Sequence, residues 1–242
     1  MPLDLLWNKS LASFCGENAL GNRHWVRLVF EPSSSELLQR ISLERAPEIC
    51  VELCLNSYLN SYKFRAFHNG REVGFCGSGL IAARCALDLY KPELTAVVKF
   101  RSKLAELECF KRGTAYGLSL KQFRIMASEP SLKTIYESII GLELISLGSV
   151  FLSSVEQNAQ YVIARIDSPD QLATMVPDLE KLKAMSGPSL IVTCRSGRER
   201  YLMRYFAPQF GNNEDAATGS ANAILIQYWS EITGQSKWYG RQ

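Results

Sequence analysis

The sequence predicts a protein of mixed α and β structure built from two similar halves. A strand, a glycine-containing loop and an almost wholly apolar helix occur in that order twice, about half a chain apart. The two helices are predicted at Leu80–Tyr90 and Ala221–Thr233. The chain has 242 residues, of which 47% are hydrophobic and 21% charged. This composition is typical of a globular protein, and the length suffices for one large core or two small ones.

The charge pattern argues against several classes of partner. The net charge is only +3 and no run of Lys or Arg occurs, so neither a nucleic-acid groove nor a surface for acidic membranes is expected. The uncharged stretch Ala216–Ser230 contains Asn, Gln, Thr and Ser, which disfavour a lipid-spanning helix. Asp4 interrupts the apolar start Met1–Cys15 and no basic segment precedes it, so we expect no signal peptide.

Cysteine and histidine usage predicts a protein without metal. The seven cysteines are scattered, odd in number and contain no CxxC pair, which argues against disulfides and against a zinc site. Only two histidines, His24 and His68, are present as further metal ligands. We therefore expect reduced thiols and a cytoplasmic location.

The first half alternates strand patterns with one amphipathic helix. Trp25–Phe30 is rich in Val and aromatic residues and is predicted as a strand. Ser33–Ser35 precede apolar residues at helical spacing and predict the start of a short helix. Further strands are predicted at Ile49–Cys54, Tyr62–His68 and Val73–Phe75, with a hairpin turn at Asn69-Gly70.

The helix predicted at Leu80–Tyr90 has the pattern of a core helix. Its only charged residues are Arg84 and Asp88, which lie four apart on one face, while the other faces are apolar. Lys91-Pro92 is expected to end it.

The second half repeats this order. Tyr201–Phe206 is predicted as a strand, Pro208–Asn213 as a turn, and Gly234 as the end of the second apolar helix. Pro177 is expected to interrupt a helix over Gln171–Met185. Turn residues near Ser128–Pro130 suggest two domains, 1–127 with a central helix at 79–90 and 128–242 with a central helix at 220–233.

The loops before the two apolar helices are candidates for binding an anion. They read Cys76-Gly77-Ser78-Gly79 and Thr218-Gly219-Ser220-Ala221. A helix N-terminus offers free backbone N–H groups and the positive end of the helix dipole. Two such ends facing one cleft would hold a carboxylate and stabilise charge formed by proton abstraction beside it. Alternatively, the Ser and Thr side chains are ordinary N-caps and the glycines allow close packing.

Two acidic positions and one cysteine could carry chemistry. Glu214-Asp215 could hold a substrate hydroxyl or amine or move a proton, or could form a solvated turn that favours the helix dipole. Glu48 precedes a strand and suits acid–base work if it is buried, but it is one of 24 acidic residues. Cys76 heads the first loop. A two-cysteine racemase would need a second thiol where Thr218 stands, so we predict that Cys76 is a small buried residue.

Several segments, in order along the chain, resemble the phenazine-biosynthesis PhzF-like family. Arg204–Ala221 (RYFAPQFGNNEDAATGSA) closely resembles the family signature R-F-F-x-P-x-x-G-x-x-E-D-x-x-T-G-S-A. Phe64–Ala83 is similar to the segment R-x-F-x-P-x-x-E-x-x-F-C-G-H-A. Gly21-Asn22 followed by Val26 resembles G-N-P-x-x-V, and Leu37–Glu48 is similar to the helix and turn before the family's catalytic glutamate.

The resemblance implies an α+β, diaminopimelate-epimerase-like fold. Such a fold has two pseudo-symmetric halves, each a curved and mostly antiparallel sheet around a central helix, with the active site in the cleft between them. The implied activity is a cofactor-independent isomerase or epimerase that moves a proton on a small hydroxy- or amino-carboxylic acid. The family also implies a homodimer.

The resemblance assigns roles by position. Glu48 would be the catalytic glutamate, and Asp215 would be catalytic and orient a hydroxyl or amine. Gly219 and Ser220 would contact the substrate, with Gly77 and Ser78 across the cleft. The chain departs from the family at Ser78, where a histidine is usual, and at Ala12, where an aspartate is common. The alternative is therefore a catalytically silent member that binds a small acid or serves as a dimeric interaction module.

Overall fold

The protein was analysed as a computed structural model that describes residues 5–15, 21–58, 61–74, 76–94, 96–103, 106–120, 122–152 and 158–242. The chain forms two compact units, Met1–Leu120 and Lys121–Gln242. The sequence placed the division at 127/128. The difference has a structural reason, because strand β9 (Arg124–Ala127) pairs with β10 (Ser146–Phe151) in the sheet of the second unit.

The first unit is an eight-stranded sheet in the order β1-β2-β3-β4-β6-β7-β8, with β5 paired to β4. Its strands are β1 Leu5–Ser13, β2 Asn22–Val29, β3 Ile49–Tyr58, β4 Ser61–His68, β5 Arg71–Val73, β6 Val97–Arg101, β7 Glu106–Arg112 and β8 Ala115–Ser119. The pairs β2/β3 and β4/β6 are parallel, and the other neighbours are antiparallel. Each parallel pair is joined by a helix, as a parallel connection requires.

Helices pack on both faces of this sheet. Helix α1 (Ser35–Glu44) begins as predicted, since the Ser34 side chain accepts a hydrogen bond from the backbone N–H of Leu37 at 3.3 Å. Helix α2 (Gly77–Tyr90) lies against the opposite face. The core on that face includes Val26, Leu28, Val51, Leu53, Phe64, Leu80, Ala83 and Leu87.

Helix α2 confirms the prediction of a buried helix and extends it. It begins at Gly77, three residues before the predicted start at Leu80, so the first Gly-Ser loop forms its first turn. Arg84 and Asp88 lie on one face as predicted, and the structure adds an ion pair between them, with Arg84 Nε 2.9 Å from Asp88 Oδ1. The predicted hairpin turn is also present, with positive φ angles at Asn69 and Gly70. Phe75, predicted at the end of a strand, lies outside the described residues.

The second unit is a seven-stranded sheet in the order β14-β13-β12-β11-β10-β9, with β15 paired to β13. Its remaining strands are β11 Tyr161–Arg165, β12 Ser189–Gly197, β13 Arg200–Ala207, β14 Asn212–Asp215 and β15 Tyr239–Arg241. The pairs β11/β12 and β13/β15 are parallel and the other neighbours are antiparallel. This mostly antiparallel pattern matches that of the first unit.

The faces of the second sheet carry separate apolar clusters because side chains alternate along each strand. Val162 and Ala164 of β11 face α3 (Pro130–Ile140), α4 (Pro169–Thr174) and α5 (Leu179–Ala184), whereas Ile163 faces α6 (Gly219–Thr233). As predicted, Pro177 separates α4 from α5. Gly234 ends α6 with a left-handed φ of 72°. A 3₁₀ turn, Pro208–Phe210, and β14 occupy the predicted turn.

Both units thus consist of a mostly antiparallel sheet with a long apolar helix against one face, which confirms the α+β class. All seven cysteines are reduced thiols. In the part of the chain that the structure describes, no helix is both long and apolar enough to cross a membrane.

Candidate active site

Glu48 lies immediately before β3 and is largely buried. Only 8% of the residue is exposed, although its Oε1 is 3.3 Å from Nη2 of Arg23, whose side chain is mostly in solvent. The backbone N–H of Glu48 donates to the carbonyl of Arg45 at 2.9 Å, which ties the residue to the turn after α1. A nearly buried carboxylate beside one cation suits proton transfer to a bound ligand.

A buried imidazole lies at the same end of the sheet. Strands β2 and β3 are parallel, and His24 is the register partner of Ile49, the residue that follows Glu48. His24 is fully buried, and its Nε2 lies 3.1 Å from Oγ of Ser78 in the first turn of α2. His24 and Ser78 are therefore in contact near the start of β2, while Glu48 lies just before the start of the neighbouring strand β3.

The environment of His24 keeps its ring neutral. Desolvation lowers the pKa of His24 to about 4, and interactions with the backbone of Asn22 and Leu11 oppose this shift only in part. A neutral imidazole has one nitrogen that donates and one that accepts. Residue 78 is not histidine in this chain, yet His24 places an imidazole directly against it.

The first Gly-Ser loop does not form an ordinary side-chain cap. The N-cap of α2 is Cys76, and its side chain makes no capping hydrogen bond. Ser78 lies inside the helix, with its Oγ also 3.7 Å from Sγ of Cys76. The capping alternative is therefore wrong for Ser78, while the prediction that Cys76 is buried is confirmed. The first-turn N–H groups of α2 therefore donate to no capping side chain and would favour an anion.

In the second unit, Asp215 is bound to the start of α6. Asp215 ends β14, opposite Tyr205 on β13. The Thr218 hydroxyl donates to Oδ2 of Asp215 at 2.5 Å. Thr218 is the N-cap residue of α6, but its side chain does not cap the helix because it is directed to this carboxylate. Gly219 and Ser220 follow as the first two residues of the helix.

Gln242 completes this cluster. Its Oε1 accepts from the Thr218 backbone N–H at 2.6 Å, and its Nε2 donates to Thr218 Oγ1 at 3.1 Å and to the Asp215 carbonyl. This arrangement could not be predicted from the sequence, because a glutamine 24 residues away from Thr218 shares no motif with it.

The two adjacent acids have different roles. Glu214 forms a two-pronged ion pair with Arg204, at 2.7 Å from Nε and 2.8 Å from Nη2. Arg204 also donates to the carbonyls of Leu172 and Met175. The Glu214 carboxylate raises the pKa of Arg204. Glu214 thus ties β14 to β13 and to the α4 segment, which leaves Asp215 as the acid at the start of α6.

Each predicted site residue lies at the end of a strand or helix. Glu48 precedes β3, Gly77 and Ser78 are the first two residues of α2, Asp215 ends β14, and Gly219 and Ser220 are the first two residues of α6. Sequence reasoning missed the contacts of His24, Arg23 and Gln242. A signal existed for His24, since it lies two residues before the inward-facing Val26 and so shares its face. Among the described residues, no cluster of three or more His, Cys, Asp or Glu could hold a metal ion.

Known proteins with similar sequences fall in one family. Residues 11–240 match the phenazine biosynthesis-like protein family. An uncharacterized isomerase of Vibrio cholerae is 29% identical over 230 residues, which cover 95% of this chain and 77% of that protein. An uncharacterized isomerase of Halalkalibacterium halodurans is 28% identical over 191 residues, covering 78% of this chain and 69% of the relative.

Solved structures show the same fold. A PhzF-family phenazine biosynthesis protein from Enterococcus faecalis superposes with a TM-score of 0.75 at 22% identity, covering 94% of this chain and 83% of that one. A hydroxyproline epimerase from Agrobacterium vitis, with bound trans-4-hydroxy-L-proline, gives a TM-score of 0.57 at 12% identity, covering 90% of this chain and 76% of that one.

These likenesses and the architecture define the fold as diaminopimelate-epimerase-like, as the sequence predicted. The chain belongs to the phenazine biosynthesis-like family. Its curated relatives are named as uncharacterized isomerases, which supports the same class of enzyme for this chain.

Proposed function

We propose that this protein is a cofactor-independent isomerase or epimerase that moves a proton on a small hydroxy- or amino-carboxylic acid. Glu48 takes the proton from a carbon atom next to the carboxylate, and the electron pair delocalises onto the carboxylate oxygens. The proton then returns to another carbon or to the other face, which balances the reaction without an oxidant or reductant. The Agrobacterium vitis neighbour holds a hydroxylated amino acid, a ligand of this class.

The observation that carries the proposal is that neither α2 nor α6 is capped by a side chain at its N-terminus. Neither Cys76 at α2 nor Thr218 at α6 uses its side chain to cap its helix. First-turn N–H groups that lack a capping side chain favour an anion, and the helix dipole strengthens this preference. Charge that develops on a carboxylate during proton abstraction would be stabilised in the same way.

Burial supports the role of Glu48. The residue is 8% exposed, so a ligand beside it would be largely removed from water. Electrostatic interactions are stronger in such surroundings than in water. Asp215, held by the Thr218 hydroxyl, is directed as an acceptor for a hydroxyl or amine of the substrate. Each residue then has one task, with Glu48 moving the proton and Asp215 orienting the ligand.

Solvent deuterium exchange tests the proposal directly. The protein is incubated in D₂O with a panel of 2-hydroxy and 2-amino acids, and loss of the proton beside the carboxylate is followed by NMR. We expect exchange into at least one acid with the wild-type chain. Glu48→Gln should lower the exchange rate by about a thousandfold, because general acid–base catalysis contributes on the order of 10²–10⁴, while calorimetry still detects ligand binding.

Glu44→Gln is the matched control, since Glu44 is an exposed glutamate at the end of α1 and should exchange normally. Near-normal exchange in Glu48→Gln would contradict the assignment of that residue. Binding of an acid without any exchange in the wild-type chain would favour the catalytically silent alternative. Loss of exchange after alkylation of Cys76 alone would favour the two-cysteine racemase instead.

A further inference from the structure

His24 is a polar residue on the inward-facing, otherwise apolar side of β2. The side chains of β2 that share its face include Val26 and Leu28, which belong to the apolar core under α2. His24 is as fully buried as they are. A polar group in such surroundings costs free energy unless it is hydrogen-bonded, so its bond to Ser78 is needed to hold the ring in place.

The bond also decides the direction of the Ser78 hydroxyl. Ser78 is the second residue of α2, and a hydroxyl in the first turn has no carbonyl of its own helix one turn before it to bind. Its direction is therefore set by partners outside the helix backbone. Those partners are His24 Nε2 at 3.1 Å and Cys76 Sγ at 3.7 Å.

The chemistry of the partner matters at this position. A carboxylate bound to Ser78 would offset the positive end of the α2 dipole, whereas a neutral imidazole leaves it available to a ligand. Desolvation lowers the pKa of His24 to about 4, so the ring stays uncharged at neutral pH. His24 thus fixes the hydroxyl without reducing the attraction for an anion.

We infer that His24 is a positioning residue whose Nε2–H donates to Oγ of Ser78, which keeps the Ser78 hydroxyl hydrogen available to a carboxylate bound at the first turn of α2. The nature of the ligand rests on the proposed function, and the pairing of His24 with Ser78 does not. His24 acts only through Ser78, because the ring itself is closed off from solvent. Substitutions at the two residues should therefore have the same effect on binding.

A double-mutant cycle measures this dependence. His24→Leu and Ser78→Ala should each raise KM for the exchanging acid by about tenfold, with a smaller change in kcat, since each removes one hydrogen bond to the ligand site. The double variant should bind no worse than either single variant. His24→Gln should restore most of the affinity, because the glutamine amide can reach the position of Nε2. Unfolding curves for every variant give the folded fraction by which the rates are corrected.

Histidine NMR provides a readout that does not need turnover. The chain contains only His24 and His68, so ¹⁵N-histidine labelling gives two ring systems, and His68→Gln assigns them. Acetate, compared with chloride at equal ionic strength, should shift the His24 ring signals in the wild-type chain but not in Ser78→Ala.

The outcomes separate this inference from the proposed function. Additive effects of His24→Leu and Ser78→Ala on KM, or His24 signals that acetate does not move, would overturn the inference. If no acid exchanges but acetate shifts His24, the pairing stands and the isomerase proposal fails. If exchange proceeds with normal KM in His24→Leu, the isomerase proposal stands and the role of His24 is wrong.

Discussion

The two apolar helices begin in chemically different ways although they occupy equivalent places in their units. Each follows a short strand and begins at a glycine, and neither is capped by a side chain. At α2 the hydroxyl of Ser78 meets a neutral, buried imidazole. At α6 the hydroxyl of Thr218 meets the carboxylate of Asp215, and Gln242 binds the Thr218 backbone.

This difference changes the group that each helix end would attract. A helix end with a neutral partner keeps its attraction for a carboxylate, whereas an end that already holds a carboxylate favours a hydrogen-bond donor such as a hydroxyl or amine. Two helices with similar first turns therefore differ in ligand preference because of the polar residue beside each turn.

Of the two helix starts, the one that holds the Asp215 carboxylate should have the larger effect on exchange. Asp215→Asn keeps an oxygen for the Thr218 hydroxyl but removes the charge, so kcat for deuterium exchange should fall about a hundredfold while the unfolding midpoint changes little. Asp167→Asn, at an exposed position of the same unit, is the control and should exchange normally. Equal rates in the two variants would remove Asp215 from the mechanism.

The neutral, buried ring of His24 beside the start of α2 should make the stability of the protein depend on pH. Between pH 6.5 and about 4 the unfolded chain protonates His24 while the folded chain does not, because the folded pKa is lowered. The stabilisation is present above pH 6.5 and is lost as the pH falls toward 4, by about 3 kcal/mol from His24. Denaturant unfolding at pH 7, 5.5 and 4 measures it. Glutamine does not titrate, so the difference in unfolding free energy between wild type and His24→Gln at each pH gives the contribution of His24 without that of the carboxylates. If this difference does not change with pH, the ring protonates as easily in the folded chain as in the unfolded chain.

A third difference concerns packing. Gly79 of α2 corresponds to Ala221 of α6 in the two loops. A Cβ at Gly79 would lie 2.9 Å from Cys76 Sγ and 3.1 Å from Val51. Gly79→Ala should therefore lower the free energy of unfolding by about 1–3 kcal/mol despite the better helix propensity of alanine. Ala221→Gly should cost about 1–2 kcal/mol through lower helix propensity and the lost burial of its methyl group. A stabilised Gly79→Ala variant would mean that α2 can move away from the sheet.

The smallest expected effect is the loss of the Thr218 hydroxyl. Thr218→Val removes its bond to Asp215 and should lower the free energy of unfolding by about 1 kcal/mol. Thr134→Val removes an exposed intrahelical bond to the Pro130 carbonyl and serves as the matched control. A larger loss in the control would show that the Asp215 contact adds nothing to stability.

The sequence was informative wherever the structure depends on neighbouring residues. The start of α1 near Ser34 and the Asn69-Gly70 turn depend on residues within a few positions, and both were predicted. The shared helical face of Arg84 and Asp88 was also predicted, but their ion pair was not. Boundaries were less accurate, because α2 begins at glycines, which helix propensity does not favour. The boundary between the two units lies before β9 and not after it, because β9 pairs with β10 of the second unit. Local sequence does not specify which strand β9 pairs with.

The sequence by itself determined the class and the positions of interest. Apolar periodicity specified the two central helices, and the Glu-Asp…Thr-Gly-Ser-Ala segment indicated the family. Only the tertiary structure decided the partners of those positions. His24 and Ser78 are 54 residues apart, and the same separation in sequence could place them anywhere in the fold. Their contact follows from the parallel pairing of β2 with β3 and from the packing of α2 across both, which are long-range consequences of burying one apolar face.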